Sequence, residues 1–167
     1  MVAMASSGAA RVTLPTDTEI LITREFAAPK HLVYKAWTTP ELVKRWWAGQ
    51  RGTVTSAQID LRVGGMWRYV MLAHGTFEVA FHGTYREIVP NERIVTTEVY
   101  ETPEVPDAEG VLNIVTFAES TNGRTTLTLR AQCSSKEERD AIMSSGMEGG
   151  MQEGMDLLEQ VAISLAT

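Results

Sequence analysis

Among the polar residues of this 167-residue chain, Glu98 carries the strongest hint of chemistry. It lies in the strand-like segment Arg93–Tyr100, whose alternation offers two faces: Ile94, Thr96, Glu98 and Tyr100, or Val95, Thr97, Val99 and Glu101. Turned inward, a carboxylate among apolar side chains is desolvated; its pKa rises and it becomes useful as a general acid or base. Turned outward, it is an ordinary solvated charge. β-Branched content alone favours burial of the valine face, which leaves Glu98 in water.

The remaining polar candidates carry less. His31, His74 and His82 show no paired spacing and no nearby cysteine or acid pattern for a metal site. Neither a metal nor a cofactor is expected. His82 alternates with Phe81, so an inward Phe81 puts His82 in solvent. Asp60, ahead of Arg62 and Gly64-Gly65, suits a turn better than a reaction, and Arg130 reads as a surface charge. No Ser-His-Asp set assembles, and neither G-x-x-x-x-G-K-[ST] nor G-x-G-x-x-G occurs.

What stands out is apolar. Trp67, Tyr69 and Met71 share one strand face opposite Arg68, and Phe81, Gly83 and Tyr85 share a face of the next strand, where Gly83 leaves open space. Met143, Met147, Met151 and Met155 recur every four residues, continued by Leu158, Ala162 and Leu165. Such a stripe either packs on a sheet or lines a ligand site; the spacing admits both.

These residues need elements to hold them. The first strand is Glu19–Phe26. Pro29 then opens a helix with Leu32, Val33, Ala36 and Trp37 on one face, and Pro40 starts a second carrying Leu42, Val43, Trp46 and Trp47. From 53 onward the pattern is β: strands over 53–61, 66–72, 77–89, 93–100, 111–117 and 125–131. Residues 102–110, with Pro103, Pro106 and three acids, read as a solvated loop. Asn122-Gly123 is the strongest hairpin signal. A two-residue turn there sets Leu127 and Leu129 against Thr116 and Ile114, whereas a three-residue turn sets them with Phe117 and Val115. That makes about seven strands, joined mostly by short turns and so expected to pair antiparallel in succession. A helix over 135–165 closes the chain, with Ser135 and Glu138 spaced as a capping box. Gly146, Gly149, Gly150 and Gly154 inside it each cost roughly 1 kcal/mol of helix propensity. Close packing on the sheet, or room for a ligand, would account for them.

Composition bounds the setting. Hydrophobic residues make up 44% and charged residues 22%, so the chain can build a core as one domain over 18–167, preceded by a loose tail over 1–17. A net charge of −6 repels phosphate backbones, so nucleic acid is not expected as a partner. No apolar stretch reaches membrane-span length, and the N-terminus lacks the basic region of a signal peptide, so membrane insertion is not expected. The single cysteine, Cys133, has no internal partner, which suits a reducing cytoplasm. Exposed strand edges would allow a homodimer.

Several local patterns carry a family resemblance: Arg24-Glu-Phe-x-Ala-Pro, Trp37-Thr-x-Pro-Glu-Leu-x-x-x-Trp46-Trp47, and Asp60-Leu-Arg-Val-Gly-Gly-x-Trp67. Gly83-x-Tyr85-x-Glu87-Ile88-x-Pro90-x-Glu92-Arg93, Asn122-Gly-x-Thr125 and Gly146-Met147 follow in order. Together they resemble the START/Bet v 1 helix-grip superfamily (SRPBCC), in the branch named after the activator of the heat-shock-protein ATPase. The resemblance implies an α+β helix-grip fold: a curved, seven-stranded antiparallel sheet around a long C-terminal helix, with two short helices after the first strand. Relatives often have Gly-Trp where this chain has Gly150-Met151, which implies a wider or more adaptable pocket here.

In such a fold the sheet-facing side of the helix is also a pocket wall. The resemblance therefore implies that Trp67, Tyr69, Met71, Phe81, Tyr85, Tyr100, Met147, Met151 and Met155 line a site for a small apolar ligand. It also places large aromatics on the strand face that includes Tyr100, which would bring Glu98 inside. Superfamily members can be cyclases, hydratases or lyases, and in that case Glu98 is the acid or base. A chaperone partner is not expected, because related eukaryotic proteins join this domain to a separate activating domain for which the chain has no room.

Overall fold

The structure of the protein, a computed structural model, describes residues 9–101 and 110–166. In order they form β1 (Arg11–Thr13), β2 (Glu19–Phe26), α1 (Lys30–Thr38), α2 (Pro40–Trp46), β3 (Gly52–Ile59), β4 (Met66–Ala73), β5 (Phe77–Val89), β6 (Arg93–Tyr100), β7 (Val111–Glu119), β8 (Thr125–Gln132), α3 (Lys136–Ser144) and α4 (Met147–Ser164). The loop expected over 102–110 lies, apart from Gly110, outside the described residues.

The strands make one antiparallel sheet in the order β1-β2-β8-β7-β6-β5-β4-β3. From β3 to β8 each strand pairs with the next in sequence; only β2 pairs out of sequence, with β8. The connection holding α1 and α2 must therefore cross from near one edge to the other, and it does so over the inner face. The sheet has eight strands rather than seven. The extra one is β1, inside the segment read as tail, where Val12 pairs with Ile22. Three residues are too few to produce a visible alternation. Nearby, the Gln152 side chain of α4 holds Ala10 like a strand neighbour, accepting from its N–H at 2.9 Å and donating to its carbonyl at 2.8 Å.

Inward residues follow the register. Ile20, Ile22 and Phe26 of β2, Ile94 of β6, Val115 and Phe117 of β7 and Leu127 of β8 are all buried, and α4 closes over them with Met155, Leu158, Val161 and Ala162. Register shifts between Val54 and Ser56 and between Tyr85 and Glu87 mark bulges, which bend strands and increase their twist. The β7–β8 hairpin takes the longer of its two turns: Phe117 pairs with Leu127 and Val115 with Leu129. Ser120 N–H donates to the Arg124 carbonyl, and Gly123 takes the left-handed φ of 78° that this turn requires.

The terminal helix is two helices, not one. Gly146 adopts φ 84°, a left-handed conformation that ends α3 and precedes α4. Ser135 caps α3 by accepting from Glu138 N–H at 3.0 Å, while Glu138 reaches back to Ser134 N–H at 2.7 Å instead of to Ser135 itself. The other helical glycines make room for neither sheet nor ligand. A Cβ on Gly149 would lie 2.3 Å from the Arg51 guanidinium, and one on Gly154 would lie 3.1 Å from the Trp46 carbonyl. These glycines let the end of α2 and the following loop press onto α4.

Candidate functional site

Glu98 is on the inner face of β6. Its alternation partner Ile94 belongs to the core, and Tyr100 packs on Phe81 with ring centroids 5.1 Å apart. The valine face points the other way, where Val99 pairs with His82. β-Branched content is a poor guide here because Val95 and Val99 are buried on the outer face by their own neighbours. Glu98 sits deep in the protein yet keeps partial access to solvent. Asn113 of β7 donates Nδ2–H to its Oε1 at 3.0 Å. Burial pushes the Glu98 pKa up, and the Asn113 hydrogen bond pulls it part of the way back.

Four of the expected aromatics join a chain of ring contacts on the same face of the sheet. Trp67 and Tyr69 lie 4.8 Å apart, and Phe81 meets Tyr100. The link between the pairs is Trp47, just past α2, which packs edge-on against both Tyr69 and Phe81 at 5.3 Å. Trp47 was visible in sequence as part of a Trp-Trp pair on an apolar helix, but nothing local to α2 tells which strands it meets. Asn113 was missed as well, although alternation puts it on the same face as Val111, Val115 and Phe117.

Gly83 holds this arrangement together. It leaves no open space: the Trp67 indole crosses it to donate Nε1–H to the Thr97 carbonyl at 3.1 Å. Burial pushes the Tyr69 phenol well above its ordinary pKa, with Tyr85 and then Glu98 adding to the effect. Tyr85 is also buried and its phenol is likewise raised by burial, so both stay neutral. Met71 continues the face of Tyr69 and is half-buried opposite Val54 and Val79. Of the methionine stripe, Met155 is fully buried in the core, while Met143, Met147 and Met151 pack against it half-exposed. Burial is thus uneven along one stripe.

The outer face carries a separate polar group. Glu101 accepts from Arg68 through both oxygens, at 2.8 and 2.9 Å, and lies 2.8 Å from His82 Nδ1. Hydrogen bonding from Arg68, aided by His82, lowers the Glu101 pKa to about 2 against the opposing effect of burial. Asp60 shapes the β3–β4 turn, and Arg130 pairs with Glu19 at 3.1 Å at the surface. Among the described residues no group of three or more His, Cys, Asp or Glu could hold a metal ion. No described helix is long and apolar enough to cross a membrane. A surface hollow of about 510 Å³, lined by residues 9–11, 23–25 and Thr126, lies along the β1–β2 edge and includes none of the aromatic group.

Known proteins share this fold. A protein from Rhodobacter sphaeroides superposes with a TM-score of 0.83 at 23% identity, covering 93% of this chain and 99% of the other. One from Chromobacterium violaceum gives 0.72 at 26% identity, covering 86% and 96%. An AHSA1-like protein from Aeromonas hydrophila gives 0.64 at 21% identity, covering 87% and 94%. No curated protein matches. The family profile described as Activator of Hsp90 ATPase homolog 1-like protein matches residues 27–162. The chain belongs to that family, and with it to the SRPBCC superfamily.

Proposed function

We propose that the protein binds a small, largely apolar molecule on the inner face of β4–β6. Trp67, Tyr69, Phe81 and Tyr100 form the floor, and Trp47 forms a wall. Met71, Tyr85, Met147, Met151 and Met155 complete the surroundings, with Met155 and Tyr85 as rigid support. One observation carries the reading: inward-facing Phe81, Trp47 and Glu98 keep solvent access although the adjoining core excludes it. A concave, aromatic-lined surface with a few polar groups is the usual form of a small-molecule site. Native mass spectrometry after detergent-free purification, followed by titration of an apolar panel against tryptophan fluorescence, tests it. Binding that weakens in Phe81→Ala supports the proposal; no adduct and no titratable ligand overturns it.

A second reading is acid–base catalysis by Glu98. It is favoured by the raised pKa and by an Oε2 that has no hydrogen-bond partner among the described residues. Any substrate turned over by the protein should then be lost to Glu98→Gln with binding kept, and full turnover in that variant removes Glu98 from the mechanism.

A further inference from the structure

The surroundings of Glu98 go further and narrow the chemistry of the ligand. Most carboxylates that face other elements here are matched by a cation: Glu159 and Asp156 by Arg24, Glu153 by Arg51, Glu101 by Arg68, Glu19 by Arg130. Glu98 is not. Among the described residues it makes no ion pair, its one polar side-chain partner is the neutral amide of Asn113, and no lysine, arginine or histidine acts on its charge.

Aromatic residues share its face of the sheet. The β5–β6 pairing lapses between His82–Val99 and Tyr85–Thr96, where Gly83 and Glu98 lie; Phe81 and Tyr85 flank Gly83 along β5, and the Trp67 indole is laid over it. Tyr100 follows two residues along its own strand and packs on Phe81. Aromatic faces carry negative electrostatic potential and attract cations, and a carboxylate out of bulk water forms its strongest hydrogen bonds with a charged donor. The phenols of Tyr69 and Tyr85 are held neutral by burial, so they add no competing charge. An anionic head would meet one carboxylate and no cation.

We infer that the ligand is an organic cation, an apolar body bearing a protonated amine, with the ammonium seated between Glu98 and the aromatic group of Trp67, Phe81 and Tyr100. This rests on the proposed binding site and adds the charge of its occupant. Glu98 accepts from the ammonium through Oε2 while Asn113 keeps Oε1 oriented.

Three probes of equal chain length separate the cases at pH 7: decylamine, decanol and decanoate, titrated below their aggregation thresholds and read by calorimetry. Decylamine is expected to bind about tenfold or more tightly than decanol, and decanoate weakest. Glu98→Gln should erase the amine preference, bringing the amine and alcohol affinities within about twofold of each other, and Phe81→Leu should weaken the amine more than the alcohol. Circular dichroism confirms that both variants are folded. Equal or tighter binding of decanol or decanoate overturns the cation assignment and leaves the apolar site standing, as does an amine preference that survives in Glu98→Gln. Failure of all three probes to bind overturns both.

Discussion

The Trp67 indole lies directly over Gly83: its Nε1–H reaches the Thr97 carbonyl at 3.1 Å, and a Cβ on Gly83 would come within 2.7 Å of that nitrogen. The same Cβ would stand 1.7 Å from the Thr97 oxygen. A side-chain end could swing aside, but a backbone carbonyl in a paired strand cannot. Gly83→Ala should therefore destabilise the fold by about 1–3 kcal/mol or more, the cost of overpacking, and should shift tryptophan emission as the indole is displaced. Urea unfolding monitored by fluorescence reads both, and an alanine variant of unchanged midpoint and spectrum would refute the close approach.

Arg24 gives a second test, on a different part of the inner face. It is 2% exposed, on a strand whose inward neighbours are Ile22 and Phe26, and bonds to Asp156 at 2.7 Å and Glu159 at 3.1 Å on α4. Glu159 also accepts from Ala27 N–H at 2.9 Å. Removing the cation leaves the buried Glu159 charge without it, so Arg24→Ala should cost about 3–5 kcal/mol. Asp156 is mostly exposed and its loss should cost no more than about 1 kcal/mol. Thermal or chemical denaturation ranks the two, and comparable losses would show that the pair with Asp156 matters as much as the buried one.

These two sites also show what sequence could and could not reveal. The strands of the meander and the two early helices were legible because alternation and proline placement are local signals. Arg24 appeared only as the first letter of a motif, since a charged residue in an alternating strand reads as solvent-facing until its partners, 132 and 135 positions away, are known. Gly83 was read as open space because a missing side chain does not disclose what fills its place. Glu98 was ambiguous for the same reason: strand alternation gives two faces, and only the neighbouring strands decide which of them is inside. The break in the terminal helix lay hidden among four glycines, of which one alone turns the chain.

That one glycine can be tested directly. Gly146 sits at φ 84°, where an L side chain is strained, while the Arg51 guanidinium is 3.6 Å from where its Cβ would be. Space is therefore adequate and conformation is the obstacle. Gly146→Ala should cost about 1–2 kcal/mol. The alternative, a straight helix through this point, predicts the opposite, because alanine stabilises a helix interior by roughly 1 kcal/mol over glycine. The sign of the change in thermal midpoint decides between them.

Glu101 and Glu98, on opposite faces of the sheet, should give opposite dependences of stability on pH. Hydrogen bonding from Arg68 and His82 lowers the Glu101 pKa to about 2 in the folded state. Its contribution is then fully present above the unfolded carboxylate range and is lost as pH falls from about 4.5 toward 2. Burial raises the Glu98 pKa despite Asn113, so its effect runs the other way: the folded state favours the protonated form, and stability falls as pH rises through the raised pKa. Glu101→Gln should thus flatten the acid limb of a stability–pH curve and lower stability at pH 7. Glu98→Gln, which cannot ionise and keeps the shape of the side chain, should raise stability at pH 7 and leave the acid limb below pH 4 intact. Urea denaturation from pH 2 to 8 measures both curves. A Glu98→Gln variant less stable than wild type at pH 7 would mean that the ionised carboxylate is compensated in the folded state, and the absence of a counter-cation around Glu98 would no longer hold.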